Sequence, residues 1–275
     1  MIYYIMTIPY ILYKTGPFDT VTQSEIIECF KTNEKMLKSK IVYFNDKACK
    51  NFIKQHFGPN IVKAYNMLIP GAYKADLWRL CVLYIHGGIY GDLTQTFLKK
   101  YDVNEDNADI IFVKDRKNAG IYNAFMAAKK RNGFIKYCIE QIVWQILIRN
   151  KGRGTLDITG PQALQRHYFT FFHRYIKPGL HGLWGLDNKI YRINIVFMHT
   201  RTPNLRHVCV TKNKEIIINN YIKNHRKLLY NVKNIHYSVL YQRNKVFKLD
   251  KKEVRRRPYQ RKKKLLYSIG KHLLD

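Results

Sequence analysis

Residues 73–97, YKADLWRLCVLYIHGGIYGDLTQTF, constrain the fold more than any other stretch of this chain. Tyr73, Leu77, Leu80, Cys81 and Tyr84 recur at three- and four-residue spacings, which predicts a helix with an apolar face. Gly87 and Gly88 end that helix, and IYGDL follows as a strand or strand end that finishes on Asp92. The neighbouring segments repeat the alternation. IVYF at 41–44 and DIIFV at 109–113 read as strands. Helices are expected from a Thr20 cap to about Phe30, over 46–57 up to Gly58-Pro59, and as one or two helices over 121–149. The pattern predicts an α/β sheet protein with some parallel pairing. In open sheets of this kind ligands sit beyond the carboxyl ends of strands, and Asp92 and Thr15 both occupy such ends.

The β-branched and aromatic run from Tyr3 to Tyr13 stops at KTGPFD and reads as a buried first strand, with a membrane anchor as the alternative. A secretory leader is disfavoured, because the run lacks a basic start and contains Pro9. The 275 residues, 46% of them hydrophobic, suffice for one sizeable core and exclude a disordered chain. Five scattered cysteines, with no C-x-x-C pair, suit reduced thiols and argue against a disulfide framework or a zinc site. The expected location is therefore cytoplasmic, either free or peripheral to a membrane.

Charge supplies the second constraint. With 49 Lys and Arg against 19 Asp and Glu, the formal net charge is +30, a field that attracts polyanions, phosphate-rich ligands or anionic membranes. Residues 251–264, KKEVRRRPYQRKKK, hold nine of these cations. The run reads as a solvated end, a nucleic-acid contact, or a membrane contact contributing about 1 kcal/mol per basic residue. The expected organisation is a domain over 1–240 followed by a basic extension over 241–275.

Asp76 and Arg79 lie three apart in the 73–86 helix, so they share a face. An ion pair on a helix surface is the plain reading. In a helix that is otherwise apolar and runs straight to Asp92, the three groups also suit a polyhydroxylated ligand. Trp78, Trp144 and Trp184 are assigned to packing, and His236, taken alone, to a structural or surface role.

These residues resemble glycosyltransferase family 32, the Och1-like mannosyltransferases and the glycosyltransferases related to clostridial glucosylating toxins. There a Ser/Ala-Asp-x-x-Arg helix precedes Gly-Gly-x-Tyr-x-Asp-x-Asp, matched here at Ala75, Asp76, Arg79, Gly87, Gly88, Tyr90 and Asp92. TIPYILYKTG is similar to the family's opening strand, with Tyr13 and Lys14 replacing the usual His and Gln. Asn123, Phe125 and Ala127 resemble a later Asn-, Phe- and Ala-containing segment, Thr159, Gly160 and Pro161 a Thr-Gly-Pro element, and His236 a C-terminal His region. The matches keep family order over roughly residues 5–240.

The resemblance implies a GT-A fold, Rossmann-like, and transfer of a hexose or N-acetylhexosamine with retention. The donor would be a nucleoside diphosphate sugar, UDP- favoured over GDP-, and the acceptor a glycan, protein or lipid. Asp76, Arg79, Tyr90, Asn123, Thr159, Gly160 and Pro161 would bind the sugar, and Tyr13 and Thr15 the nucleotide. Asp92 would be the central catalytic residue. With Thr94 and His236 it would hold Mn²⁺ or Mg²⁺, which neutralises the departing diphosphate. Thr94 departs from the pattern, since a hydroxyl stands where the second acid belongs. A weakened metal site, or compensation by Lys or Arg, keeps the transferase reading open. The alternative is a catalytically degenerate relative that binds nucleotide sugar or polyanion without transfer.

Overall fold

The computed structural model describes residues 7–115, 120–199, 208–210, 216–219, 222, 224–230 and 235–248, without the side chains of 197–199, 208–210 and 216–219. The first six residues and the basic run 251–264 lie outside this set. Strand β1 (Ile11–Gly16) leads through helix α1 (Ser24–Leu37) to β2 (Lys40–Asn45), which pairs with β1 in parallel. Helices α2 (Asp46–His56), α3 (Pro59–Met67) and α4 (Gly71–His86) then carry the chain to β3 (Gly88–Gly91), parallel to β1 on its other side. After β4 (Thr96–Phe97) come β5 (Ile110–Lys114) and β6 (Ile121–Ala128), and β6 lies antiparallel between β3 and β5. Helices α5 (Gly133–Leu147) and α6 (Pro161–Phe172) precede β7 (Gly179–Trp184), β8 (Ile190–His199), β9 (Val208–Val210) and β10 (Ile216–Asn219). Two short helices follow, α7 (His225–Leu229) and α8 (Tyr237–Gln242). The strands form one mixed sheet in the order β2-β1-β3-β6-β5-β8-β9-β10-β4, with β7 also on β8.

Two cores sandwich the sheet. Successive residues of a strand face opposite sides, so Leu12 and Ile89 join Leu37 of α1 and Phe97 in one core. Tyr13 and Tyr90 join Phe52, Leu77 and Trp78 in the other, under α2 to α6. Helix α4 is buried nearly all round, from Tyr73 and Leu77 to Leu83, as expected of a helix in the middle of a layer. Gly87 and Gly88 take φ of +68° and +102°, and a Cβ on Gly88 would meet the Ile11 carbonyl at 2.9 Å. That pair lets α4 turn at once into β3 and lets β3 lie against β1.

Several expectations need correction. Strand β1 spans Ile11–Gly16, so residues 7–10 of the apolar run are not strand, and the run's first residues lie outside the described set. Helix α1 starts at Ser24 behind Gln23, without a Thr20 cap, and reaches Leu37 because its buried positions Ile26, Cys29, Asn33 and Leu37 follow the sheet that far. The segment 121–128, read as helix, is a strand buried at every position. A strand covered on both faces shows no alternation, and its Ala, Phe and Met content mimics a helix. The chain beyond Leu240 also returns to the body. Val246 is fully buried, its carbonyl accepts from Ile69 N at 2.8 Å, and Lys248 N donates to Met67 O at 2.7 Å. Trp78 is core and Trp144 packs beside it, whereas Trp184 is 65% exposed on the hairpin opposite Ile190. Cys29, Cys49, Cys81 and Cys138 are buried free thiols. Among the described residues no helix is long and apolar enough to cross a membrane.

His167 of α6 is buried beside Tyr137, its Nε2 without a hydrogen-bond partner among the described residues. Burial first, and Arg166 second, pull its pKa down to about 3. The unfolded chain therefore binds this proton from about pH 6.5 downward while the folded chain does not. Stability should fall by about 2–3 kcal/mol from this residue between pH 6.5 and 4.5. Denaturant unfolding of wild type and His167→Phe at both pH values measures it, and the variant should lose less.

Candidate functional site

The strand order β2-β1-β3 places a switch point between β1 and β3. Helix α1 leaves β1 over one face of the sheet, and α2 to α4 return over the other. The crevice opens at the carboxyl ends of these strands, where such sheets hold their ligands, and Thr15, Gly16 and Asp92 stand there.

Arg79 is the hub of the site. Its Nη2 lies 2.8 Å from Asp76 Oδ1 and its Nη1 3.4 Å from Asp92 Oδ1. Nη1 also donates to the Asn123 carbonyl, and Nε donates to Ala75 O at 3.3 Å. The guanidinium lies over the Tyr90 ring, 4.3 Å from its centroid. Asp76 is equally held, accepting from Asn123 Nδ2 at 2.8 Å and Thr159 Oγ1 at 2.7 Å. Burial pushes the Asp76 carboxyl upward, while Arg79, Thr159 and Asn123 oppose the shift. Asp92 Oδ1 also accepts from Tyr90 OH at 2.9 Å, and its side chain remains 28% exposed. Of the two carboxylates, Asp92 is the one presented to a ligand.

An irregularity in β6 makes this possible. Ile111 pairs with Ala127 and Val113 with Tyr122, so β6 bulges between those points. The bulge turns the Asn123 carbonyl to Arg79 and the Ala124 carbonyl to Asp92 N, at 2.9 Å.

Two cavities meet over Arg79 and Asp92, about 300 Å³ and 150 Å³ in volume. They share Ala72, Leu229, Tyr230 and Tyr237, so α7 and α8 roof both. The larger takes in Asp76, Asn123, Gly160, Pro161 and His236, and the smaller takes in Thr15, Tyr90 and Thr94. Most residues expected from the sequence are thus brought together. Tyr13 is not. It alternates into the core, where its ring lies against those of Phe44 and His86, so a nucleotide contact has no geometric support. Thr15 Oγ1 donates to Phe44 O at 2.8 Å. His236 caps α8, its Nδ1 2.7 Å from Ser238 Oγ, and burial lowers its pKa.

Sequence reasoning missed Asp115, His225, Arg226, Tyr230 and Tyr237, all of which line the larger cavity. Asp115 directly follows β5, so the strand-end rule that found Asp92 would have found it. The roof residues sit on short helices with no periodic signal.

The residues expected to hold a divalent cation, Asp92, Thr94 and His236, are divided between the cavities, Thr94 on the smaller and His236 on the larger. Thr94 Oγ1 is fully buried without a hydrogen-bond partner among the described residues. Asp92 Oδ1 is already engaged, and no group of three or more His, Cys, Asp or Glu suited to a metal occurs among the described residues.

Residues 20–111 match the protein family described as "Glycosyltransferase sugar-binding region containing DXD motif", a segment that includes Asp76, Arg79 and Asp92. Over 75 residues the chain is 32% identical to the initiation-specific alpha-1,6-mannosyltransferase of Candida albicans. That alignment covers 26% of this chain and 20% of the relative, so the chain spans about one fifth of the protein it matches. Among solved structures, the PaToxG glycosyltransferase aligns with a TM-score of 0.43 and 15% identity, over 59% of this chain and 68% of that one.

Arg79→Met should leave the buried Asp76 and the part-exposed Asp92 without their shared cation and lower stability by about 3 kcal/mol. Adding Asp76→Asn should restore part of the loss, a coupling that urea titrations of the single and double variants would measure.

Proposed function

We propose that this chain is a glycosyltransferase that takes a hexose or N-acetylhexosamine from a nucleoside diphosphate sugar, with retention. The observation that carries the reading is the hydrogen-bonded set Asp76–Arg79–Asp92–Asn123–Thr159, built under a cavity of about 300 Å³ at a strand-end switch point. The match over residues 20–111 supports it, since its description names the same class. UDP is the favoured base over GDP, and the acceptor is a glycan, protein or lipid.

In this reading Asp92 accepts donor hydroxyls and Asp76 Oδ2, with one partner so far, accepts one more. Arg79 keeps both carboxylates aimed. Gly160 packs beside Asp76, where a Cβ would crowd the Leu156 carbonyl at 3.2 Å and lie in ordinary contact with Asp76 Oδ2 at 3.7 Å. Tyr230 and Tyr237 close the roof and exclude water. The buried hydroxyl of Thr94, without a hydrogen-bond partner among the described residues, favours a second reading, a relative that binds the nucleotide sugar without transferring it.

A thermal-shift screen of UDP- and GDP-sugars tests binding, since a donor at 100 times its Kd adds about 2.7 kcal/mol. Donor turnover by wild type and its loss in Asp92→Ala are the expected results. Binding without turnover would support the second reading, and equal turnover in both proteins would refute the assignment of Asp92.

A further inference from the structure

The motif turn contains a cation of its own. Lys14 is fully buried, and its Nζ donates to the carbonyls of Asp92 at 2.8 Å, Gln95 at 3.2 Å and Leu93 at 3.5 Å. The α1 side completes the shell. Asn33 Nδ2 and Cys29 Sγ donate to the same Gln95 carbonyl at 2.7 and 3.2 Å, and the Phe30 ring centroid lies 5.7 Å from the ammonium. Carbonyl oxygens converging on one positive charge are what a bound metal ion gathers around itself. Here the charge is covalently attached to β1.

The charge balance leads to the same place. Across the two cavities Asp46, Asp76, Asp92 and Asp115 stand against Arg79 and Arg226, and Lys14 behind the turn cuts that excess of two acids to one. Oxygen-ligand sites capture divalent ions through an excess of carboxylates, and Lys14 halves the excess here. An incoming diphosphate, by contrast, meets Arg226 on the cavity wall. A glutamine at position 14 could still donate to these carbonyls, so the ammonium adds charge beyond what positioning needs.

We propose that Lys14 is the resident cation of this site: it fixes the Asp92–Gln95 turn and makes sugar-nucleotide binding independent of a divalent metal. The proposal rests on the donor-binding reading above, and Lys14 acts through Asp92 as a positioning residue.

The test uses wild type, Lys14→Gln, Thr94→Asp and the double variant, with UDP-glucose and GDP-mannose titrated in EDTA and in Mn²⁺. Wild type should bind its donor with equal affinity in both. The double variant should weaken about tenfold or more in EDTA and recover with Mn²⁺, as a restored charge excess requires. A merely structural lysine would give variants weakened equally in both media, and that result overturns the proposal. So does a wild type that needs Mn²⁺. If wild type binds neither donor in either medium, the donor-binding reading fails, and electron paramagnetic resonance of Mn²⁺ alone decides the rest. Stoichiometric Mn²⁺ on the double variant but not on wild type upholds Lys14 as the resident cation, whereas Mn²⁺ held equally by wild type refutes it. Should Lys14→Gln fail to fold, Thr94→Asp alone is decisive: it should gain no Mn²⁺ site while Lys14 remains, and gaining one overturns the inference.

Discussion

The guanidinium of Arg79 is the interaction on which the rest of this site depends. It is nearly buried and lies against Asp76 of its own helix and Asp92 beyond β3. Without it, Asp76 would be a buried carboxyl held only by Asn123 and Thr159. With it, the upward push that burial gives the Asp76 carboxyl is opposed by a charge 2.8 Å away. The contacts to the Asn123 carbonyl and the Tyr90 ring add the geometry that one ion pair lacks. Helix α4, strand β3 and the bulge of β6 therefore meet at one planar group, and their relative positions are set by its five donors.

Much of this arrangement was legible in the sequence because it follows from spacing. Asp76 and Arg79 three apart, Gly87-Gly88 closing the helix and Asp92 ending a strand are local facts, and the structure keeps each of them. What was not legible depends on partners distant in the chain. The strand β6 read as helix because a segment buried on both faces hides its period. Tyr13 read as a ligand contact because the motif order cannot reveal to which face of β1 a side chain turns. Lys14 stood out only as a departure from a pattern, and its role needed the loop carbonyls brought to it from 78 to 81 positions away. Residues 246–248 looked like the start of a charged appendage, yet Val246 is buried against the segment before α4.

The two faces of the sheet divide the work. The face under α4 carries the acids, the guanidinium and the cavities, while the face under α1 carries Lys14, Asn33 and Cys29 beneath the motif turn. The turn is thus clamped from both sides. Its upper surface lines the cavities, and its lower surface is hydrogen-bonded to the buried Lys14, Asn33 and Cys29.

The roof over the cavities is tied down at both of its ends. Before α7, Ile222 N donates to the Thr94 carbonyl at 2.9 Å, and after α8, Val246 O and Lys248 N bond to Ile69 and Met67. Each of these ends is a support, and releasing either would cost backbone hydrogen bonds to the body of the protein. One of those supports is the backbone of the residue whose side chain departs from the motif. Thr94 thus has a mechanical duty that any residue able to hold that backbone would discharge, whatever its side chain does for a ligand.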